Sequence, residues 1–268
     1  MLKTRLILIA ASAATIWLIF LLPKFVVENE AEMKSSQSSS KSGDAHSEID
    51  PVIQNLINQL KVKLSSEPEK RNSAIFADSL AELYQKTTRY DTAAWYAEQA
   101  NMFFETPASL SKTAAAYFQA FSFAMDNQKR NGMAVKARSY FKKLLDLDPH
   151  NLDVKTKMAL TYFGTGEPPM QGVNLLREVL AEDPKFKPAL YNMGMLAVQS
   201  GQYGKAINWL DQLLTLSPDD VQAVLLLGVA YSNNGEKEKA REQFEKAKKL
   251  DADPAVQQQA DSYLKDLK

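Results

Sequence analysis

Tyr191, Met195 and Val198 stand four and three residues apart, a spacing that places them on one stripe of an α-helix. Leu190, Met193, Gly194 and Ala197 form a different stripe of the same stretch. A helix with two apolar stripes is buried on both sides or presents one of them to a partner. The chemistry open to such a stripe is non-covalent: it can hold an apolar segment of another protein, with aromatic side chains supplying most of the affinity. Groups suited to covalent chemistry are scarce. The 268 residues include no cysteine and two histidines, His46 and His150. That removes thiolate catalysis, disulfides and Cys-based metal sites, and leaves the histidines too few and too far apart for a metal cluster. No phosphate-binding loop, nucleophile elbow or paired-histidine motif occurs. Lys+Arg and Asp+Glu both number 32, so net charge implies no nucleic acid partner. The chain reads as a protein that binds protein or peptide, is not an enzyme, and uses no cofactor or metal.

The stretch that positions these residues runs from Lys187 to Asp220. It reads as a helix, a turn at Ser200-Gly201-Gln202, and a second helix from about Tyr203 to Leu216 that stops at Ser217-Pro218. The same plan recurs along the chain. Turn glycines read Gly132, Gly166, Gly201 and Gly235, spaced 34, 35 and 34. Small residues early in the second helix read Ala137, Gly172, Ala206 and Ala240; large ones four positions later read Phe141, Leu176, Leu210 and Phe244. Pro149, Pro184 and Pro218 close the units. Neither helix of such a pair can bury its apolar face alone, so the units must stack. Gly194 and Ala206 are expected at the helix crossing of this unit, where only small side chains fit.

Gly228, Tyr231, Gly235, Ala240 and Phe244 carry the pattern most plainly. It resembles the tetratricopeptide repeat family. The resemblance covers roughly residues 74–254 and implies an all-α, right-handed superhelical α-solenoid of about five units, closed by a capping helix over 255–268. The first unit is degenerate, with Thr88 in place of the turn glycine and Ala97 in place of the large apolar residue. About ten extra residues precede the second unit, which is expected to begin near Phe118. In this family the first helices line a groove that takes peptides. Carried over, the groove positions are Thr156, Leu160, Phe163, Tyr191, Met195, Val198, Leu225, Val229 and Ser232 in the last three units. In the first two units they are Asp78, Glu82, Gln85, Ser122, Asp126 and Lys129. Of these, Leu160, Phe163, Tyr191, Met195, Val198, Leu225 and Val229 form the expected apolar peptide site. Asn192 stands at one position of the family's carboxylate clamp, but Tyr191, Met195 and Leu225 stand where the clamp would need Lys or Asn, so an apolar or amphipathic segment suits this groove better than an acidic chain end.

Residues 1–27 read as an uncleaved membrane anchor. Leu6 to Leu22 carries no charge, and the small residues Ala10 to Ala14 sit in its middle rather than at a cleavage site. Lys3 and Arg5 before it place the N-terminus in the cytoplasm and the bulk of the chain outside, as in a bacterial periplasm. Residues 28–47 are Ser-rich with few apolar residues and read as a disordered linker. Residues 48–66 form an amphipathic helix begun by Asp50-Pro51, with Ile49, Ile53, Leu56 and Leu60 on one face. This helix either covers the open end of the solenoid or oligomerises the chain. The plan is similar to that of envelope assembly factors, including the repeat domain of cytochrome c maturation proteins and ancillary subunits of the secretory translocon. Three roles follow as expectations: a tethered interaction scaffold or assembly factor, an envelope organiser oligomerised through 48–66, and a chaperone or translocon-associated factor.

Overall fold

Residues 49–267 are described by a computed structural model; the expected anchor (1–27), the linker (28–47) and His46 lie outside them. Twelve helices and no strand occur among the described residues. They are α1 (Pro51–Ser66), α2 (Lys70–Lys86), α3 (Tyr90–Phe103), α4 (Pro107–Phe123), α5 (Asn127–Leu147) and α6 (Leu152–Leu160). There follow α7 (Met170–Glu182), α8 (Lys187–Gln199), α9 (Tyr203–Leu216), α10 (Val221–Asn233), α11 (Lys237–Leu250) and α12 (Pro254–Asp266). Each helix packs on the next in sequence. The ten from α2 to α11 form five antiparallel pairs, an α-solenoid with α1 before it and α12 after it.

The repeated small and large positions explain the packing. Ala137, Ala206 and Ala240 are fully buried, and so are Leu176 and Leu210, with Phe141 and Phe244 close to it. A Cβ on Gly228 would stand 2.5 Å from Cε1 of Phe244, and one on Gly172 would stand 2.6 Å from Cζ of Phe163. Gly194 faces the second helix as expected: a Cβ there would stand 2.8 Å from Cγ of Leu210, so the glycine makes room for the large residue of α9, and Ala206 is fully buried. Burying each such Phe or Leu contributes about 1.5–3 kcal/mol. At the first end, α1 lays Ile57, fully buried, against Leu80, Tyr84 and Tyr96, with Ile53, Leu60 and Leu64 beside it. At the last end, Val256, Ala260 and Leu267 cover Val224, Phe244 and Ala247. Asp50 and Asp253 start these two flanking helices, each accepting a bond from the backbone N–H two residues on, ahead of Pro51 and Pro254.

Turn chemistry follows the glycines with one exception. Gly201 and Gly235 have φ of 72° and 86°. The N–H groups of Gln202 and Glu236 reach back to the carbonyls of Ala197 and Tyr231, which closes each first helix with a left-handed residue. Thr88 takes the same role after α2 with φ of 59°, and the N–H of Arg89 donates to Tyr84 O. Gly132, expected in a turn, is a correction: it lies inside α5. The second pair begins at Pro107 rather than near Phe118, because Thr106 and Ser109 form a capping box there. Asp126 then accepts from the Lys129 N–H and starts α5 six residues before Gly132. The ten extra residues are taken up by helix length, 17 in α4 and 21 in α5.

Candidate functional site: the first-helix face and the cleft beside it

The first helices of the last three pairs touch one another, α6 with α8 and α8 with α10. On that face Leu160, Tyr191, Met195, Val198 and Val229 are all half-buried. Tyr191 and Val198 rest against the core of Leu190, Leu210 and Leu227, and Val229 rests against that of Val224 and Phe244. Burial, and then the nearby Asp220 carboxylate, raise the Tyr191 phenol above its ordinary value, so it is a neutral hydrogen-bond donor at the edge of this surface. Leu225 is a correction to the expected set. It is 3% exposed and belongs to the core under α12. Thr156 is 4% exposed and likewise internal.

Phe163 is also displaced. α6 was expected to continue through it, but the helix ends at Leu160. The next three N–H groups bond three residues back, to Met158, Ala159 and Leu160, the tighter pattern that winds down a helix. Gly164 and Gly166 then take φ of 74° and 69°. Phe163 therefore leaves the stripe and packs over Gly172. The turn is fastened from behind by Arg138, whose guanidinium donates to Thr161 O at 3.0 Å, pairs with Glu167, and lies 4.5 Å over the Tyr162 ring. Beside this turn a cleft of about 580 Å³ opens between the third and fourth pairs. Of the expected site residues Phe163 lines it, and Leu160, Tyr191, Met195, Val198 and Val229 do not.

Of the polar positions of the first two pairs, Asp78, Gln85 and Asp126 have partners within the chain, while Glu82 and Ser122 are exposed. Asp78 pairs with Lys112 and Gln85 accepts no partner but donates to Gln119 at 2.9 Å, so α2 is latched to α4 along this face. Asp126 is the cap of α5. Behind them lies a network that sequence reasoning missed. The Glu98 carboxylate on α3 accepts from Tyr117 (2.6 Å) on α4 and from Lys136 (2.7 Å) and Tyr140 (2.8 Å) on α5. Burial pushes the Glu98 carboxyl up, but the bonds from Lys136, Tyr117 and Tyr140 outweigh it and hold it below the usual range. Burial and then the bond to Glu98 raise both phenols. The two rings stack at 5.9 Å. His150 lies at the surface, 2.6 Å from Glu182, and no cluster of metal-ligating residues occurs among the described residues.

Residues 171–215 and 197–260 match the tetratricopeptide repeat family. These residues form tetratricopeptide repeats. A solved tetratricopeptide repeat protein from Thermus thermophilus shares the fold at 20% identity, with a TM-score of 0.52 over 73% of this chain and 99% of that one. Among curated proteins, cellulose synthase operon protein C of Escherichia coli is 30% identical over 145 residues, which are 53% of this chain and 12% of that protein. A photosystem I assembly protein of Acaryochloris marina is 30% identical over 107 residues, 37% of this chain and 64% of that protein. The chain thus spans 12% of the first relative and 64% of the second. Tetratricopeptide repeats generally serve as scaffolds for binding other proteins.

Proposed function

We propose that the chain is a membrane-tethered, extracytoplasmic scaffold or assembly factor whose tetratricopeptide repeats hold an apolar or amphipathic segment of a partner protein. The observation that carries this reading is the half-buried stripe of Tyr191, Met195 and Val198, flanked by Leu160 and Val229, on a face where Asp78 and Gln85 of the first pair are instead taken by contacts to α4. The assembly role in the name of one relative, the photosystem I assembly protein, and the uncharged stretch Leu6 to Leu22 support it. Among the described residues no helix is long and apolar enough to cross a membrane, so the tether rests on residues 1–27. The test uses carbonate-washed membranes that hold the full chain, with a photoreactive residue at position 195. We expect the chain to stay with the membranes and to crosslink a discrete partner. Adding Tyr191→Ala and Val198→Asp should abolish the adduct with little change in helicity. Extraction of the chain by carbonate would remove the tether, and a large loss of stability without a separate loss of crosslinking would make the stripe core. A second reading is self-association through α1, favoured by the exposed Val52 (77%) and Leu56 (44%); in the same experiment it would appear as crosslinking between copies from position 52.

A further inference from the structure

The cleft beside the third turn exists because α6 is short. The first helices of the fourth and fifth pairs have 13 residues each, whereas α6 has 9. The missing turn of helix leaves room against the last turns of α8, and residues 161–167 are fastened to Arg138 while Tyr162, Phe163, Gly164 and Glu167 line the space. The resulting space is walled by Phe163, Val173, Leu196 and Trp209, side chains that are partly buried against Met193. Its volume of about 580 Å³ falls in the range that encloses a small ligand or two to three residues of peptide.

The polar rim has one sign. Arg177 and Lys205 line the cleft, and neither forms an ion pair with any carboxylate among the described residues. The single acidic lining residue, Glu167, is neutralised by Arg138 from outside the cleft. Two helices also begin at its edge, α7 after Pro169 and α9 after Gln202, and neither has a side-chain cap on its first N–H groups. Such N-termini carry partial positive charge and favour anions. The opposing end of α8 contributes little negative charge, since Ser200, Gly201 and Gln202 donate their N–H groups to its last carbonyls.

We propose that this cleft is a second binding site, at the turn edge of the solenoid rather than on its first-helix face, for a peptide segment of a partner in which a large apolar side chain adjoins one or two carboxylates. The apolar side chain enters between Phe163 and Trp209, and the carboxylates meet Arg177 and Lys205. The site does not rest on the first-helix stripe, and the two can fail separately.

The test selects random octapeptides displayed on phage against the full chain, in parallel with two variants. The Arg177→Ala/Lys205→Ala variant empties the rim of charge; the Leu160→Asp/Met195→Asp variant disables the first-helix stripe. Wild type and the stripe variant should enrich the same acidic–apolar peptides, and the rim variant should lose them. Each rim cation should account for about a tenfold change in affinity when an enriched peptide is synthesised and titrated, at an unchanged melting temperature. Binding should alter the emission of Trp209, an effect lost in Trp209→Phe. No enrichment, enrichment of peptides without carboxylates, or binding that survives the rim variant would overturn the proposal. So would phenylacetate binding as tightly as the peptides, which would make the cleft a small-molecule site. Loss of the acidic–apolar peptides in the stripe variant alone would return them to the first-helix face.

Discussion

Thr88 closes the first helix of the first pair with φ of 59°, whereas Gly201 and Gly235 close those of the fourth and fifth with φ of 72° and 86°. The same contrast runs through the packing. The early pairs add to their apolar clusters a set of directional contacts between residues apart in sequence: the Glu98 network, the stacked Tyr84 and Tyr96 at 5.4 Å, and the latches Asp78–Lys112 and Gln85–Gln119. The later pairs hold together by one small-and-large register repeated twice, Gly194 with Leu210 and Gly228 with Phe244. Two of these contacts, Asp78–Lys112 and Gln85–Gln119, occupy polar groups of the first-helix face. The apolar register fills the inward stripe, and Tyr191, Met195 and Val198 stay half-buried beside it. Regular packing and a half-buried apolar stripe thus occur together in this molecule.

The comparison breaks most readily at the repeated register. Gly194→Leu drives atoms into Leu210 and should destabilise the full chain by about 1–3 kcal/mol. Because stability in a stack of repeats is close to a sum of units and neighbour interfaces, hydrogen exchange should rise in α8 to α11 and stay unchanged in α2 to α4. Uniform exchange throughout, or no drop in melting temperature, would deny that Gly194 is a packing position.

The network side is tested by charge. Glu98→Gln keeps the volume but weakens the bonds from Lys136, Tyr117 and Tyr140, and should cost about 1–2 kcal/mol. The pH dependence has a definite sign. The folded carboxyl lies below its ordinary value, so its contribution is complete above the unfolded value of about 4.3 and is lost as pH falls through the folded one. Thermal melts from pH 6 down to about pH 3 should therefore show a steeper acid loss in wild type than in Glu98→Gln. Parallel curves would mean that the network adds no stability.

The turns give the smallest and sharpest effect. Relieving a left-handed threonine gains about 1–2 kcal/mol, and the glycine gives back part of it through chain entropy. Thr88→Gly should therefore stabilise by about 0.5–1 kcal/mol. Gly201→Thr should destabilise by a similar amount, since nothing lies within 4 Å of its missing Cβ and only φ is at issue. Denaturant midpoints for the two variants, moving in opposite directions, measure the exchange; a Thr88→Gly midpoint below that of wild type would show that its methyl or hydroxyl contributes more than the strain costs.

What could be read beforehand followed from local chemistry. Gly201, Gly235, Ala206, Ala240, Leu210 and Phe244 occupy the places their period assigns. So does Asp50-Pro51, because a cap and a fixed φ act within a few residues. Gly132 misled because its 34-residue distance from Gly166 was matched by Ala137 and Phe141, which do keep register, while the competing starts at Thr106-Pro107 and Asp126 went unused. Phe163 was misplaced although Gly164 directly follows it and marks the end of a helix. Leu225 looked like a groove residue because its register was carried over without α12, whose packing reaches that position. The Glu98 network had no local signal. Its partners lie 19, 38 and 42 residues away on two other helices, and only the stacking of α3, α4 and α5 brings them together.

The short α6 also has a mechanical meaning. In a stack of repeats a pull travels from unit to unit, and every joint in the series carries the same load. The third unit has a shorter first helix than the fourth, nine residues against thirteen, and one guanidinium, that of Arg138, fastens the turn beyond. Tension between the N-terminal end of the solenoid and a partner held on the last units would pass through residues 152–167, and straining them would change the shape of the adjoining cleft.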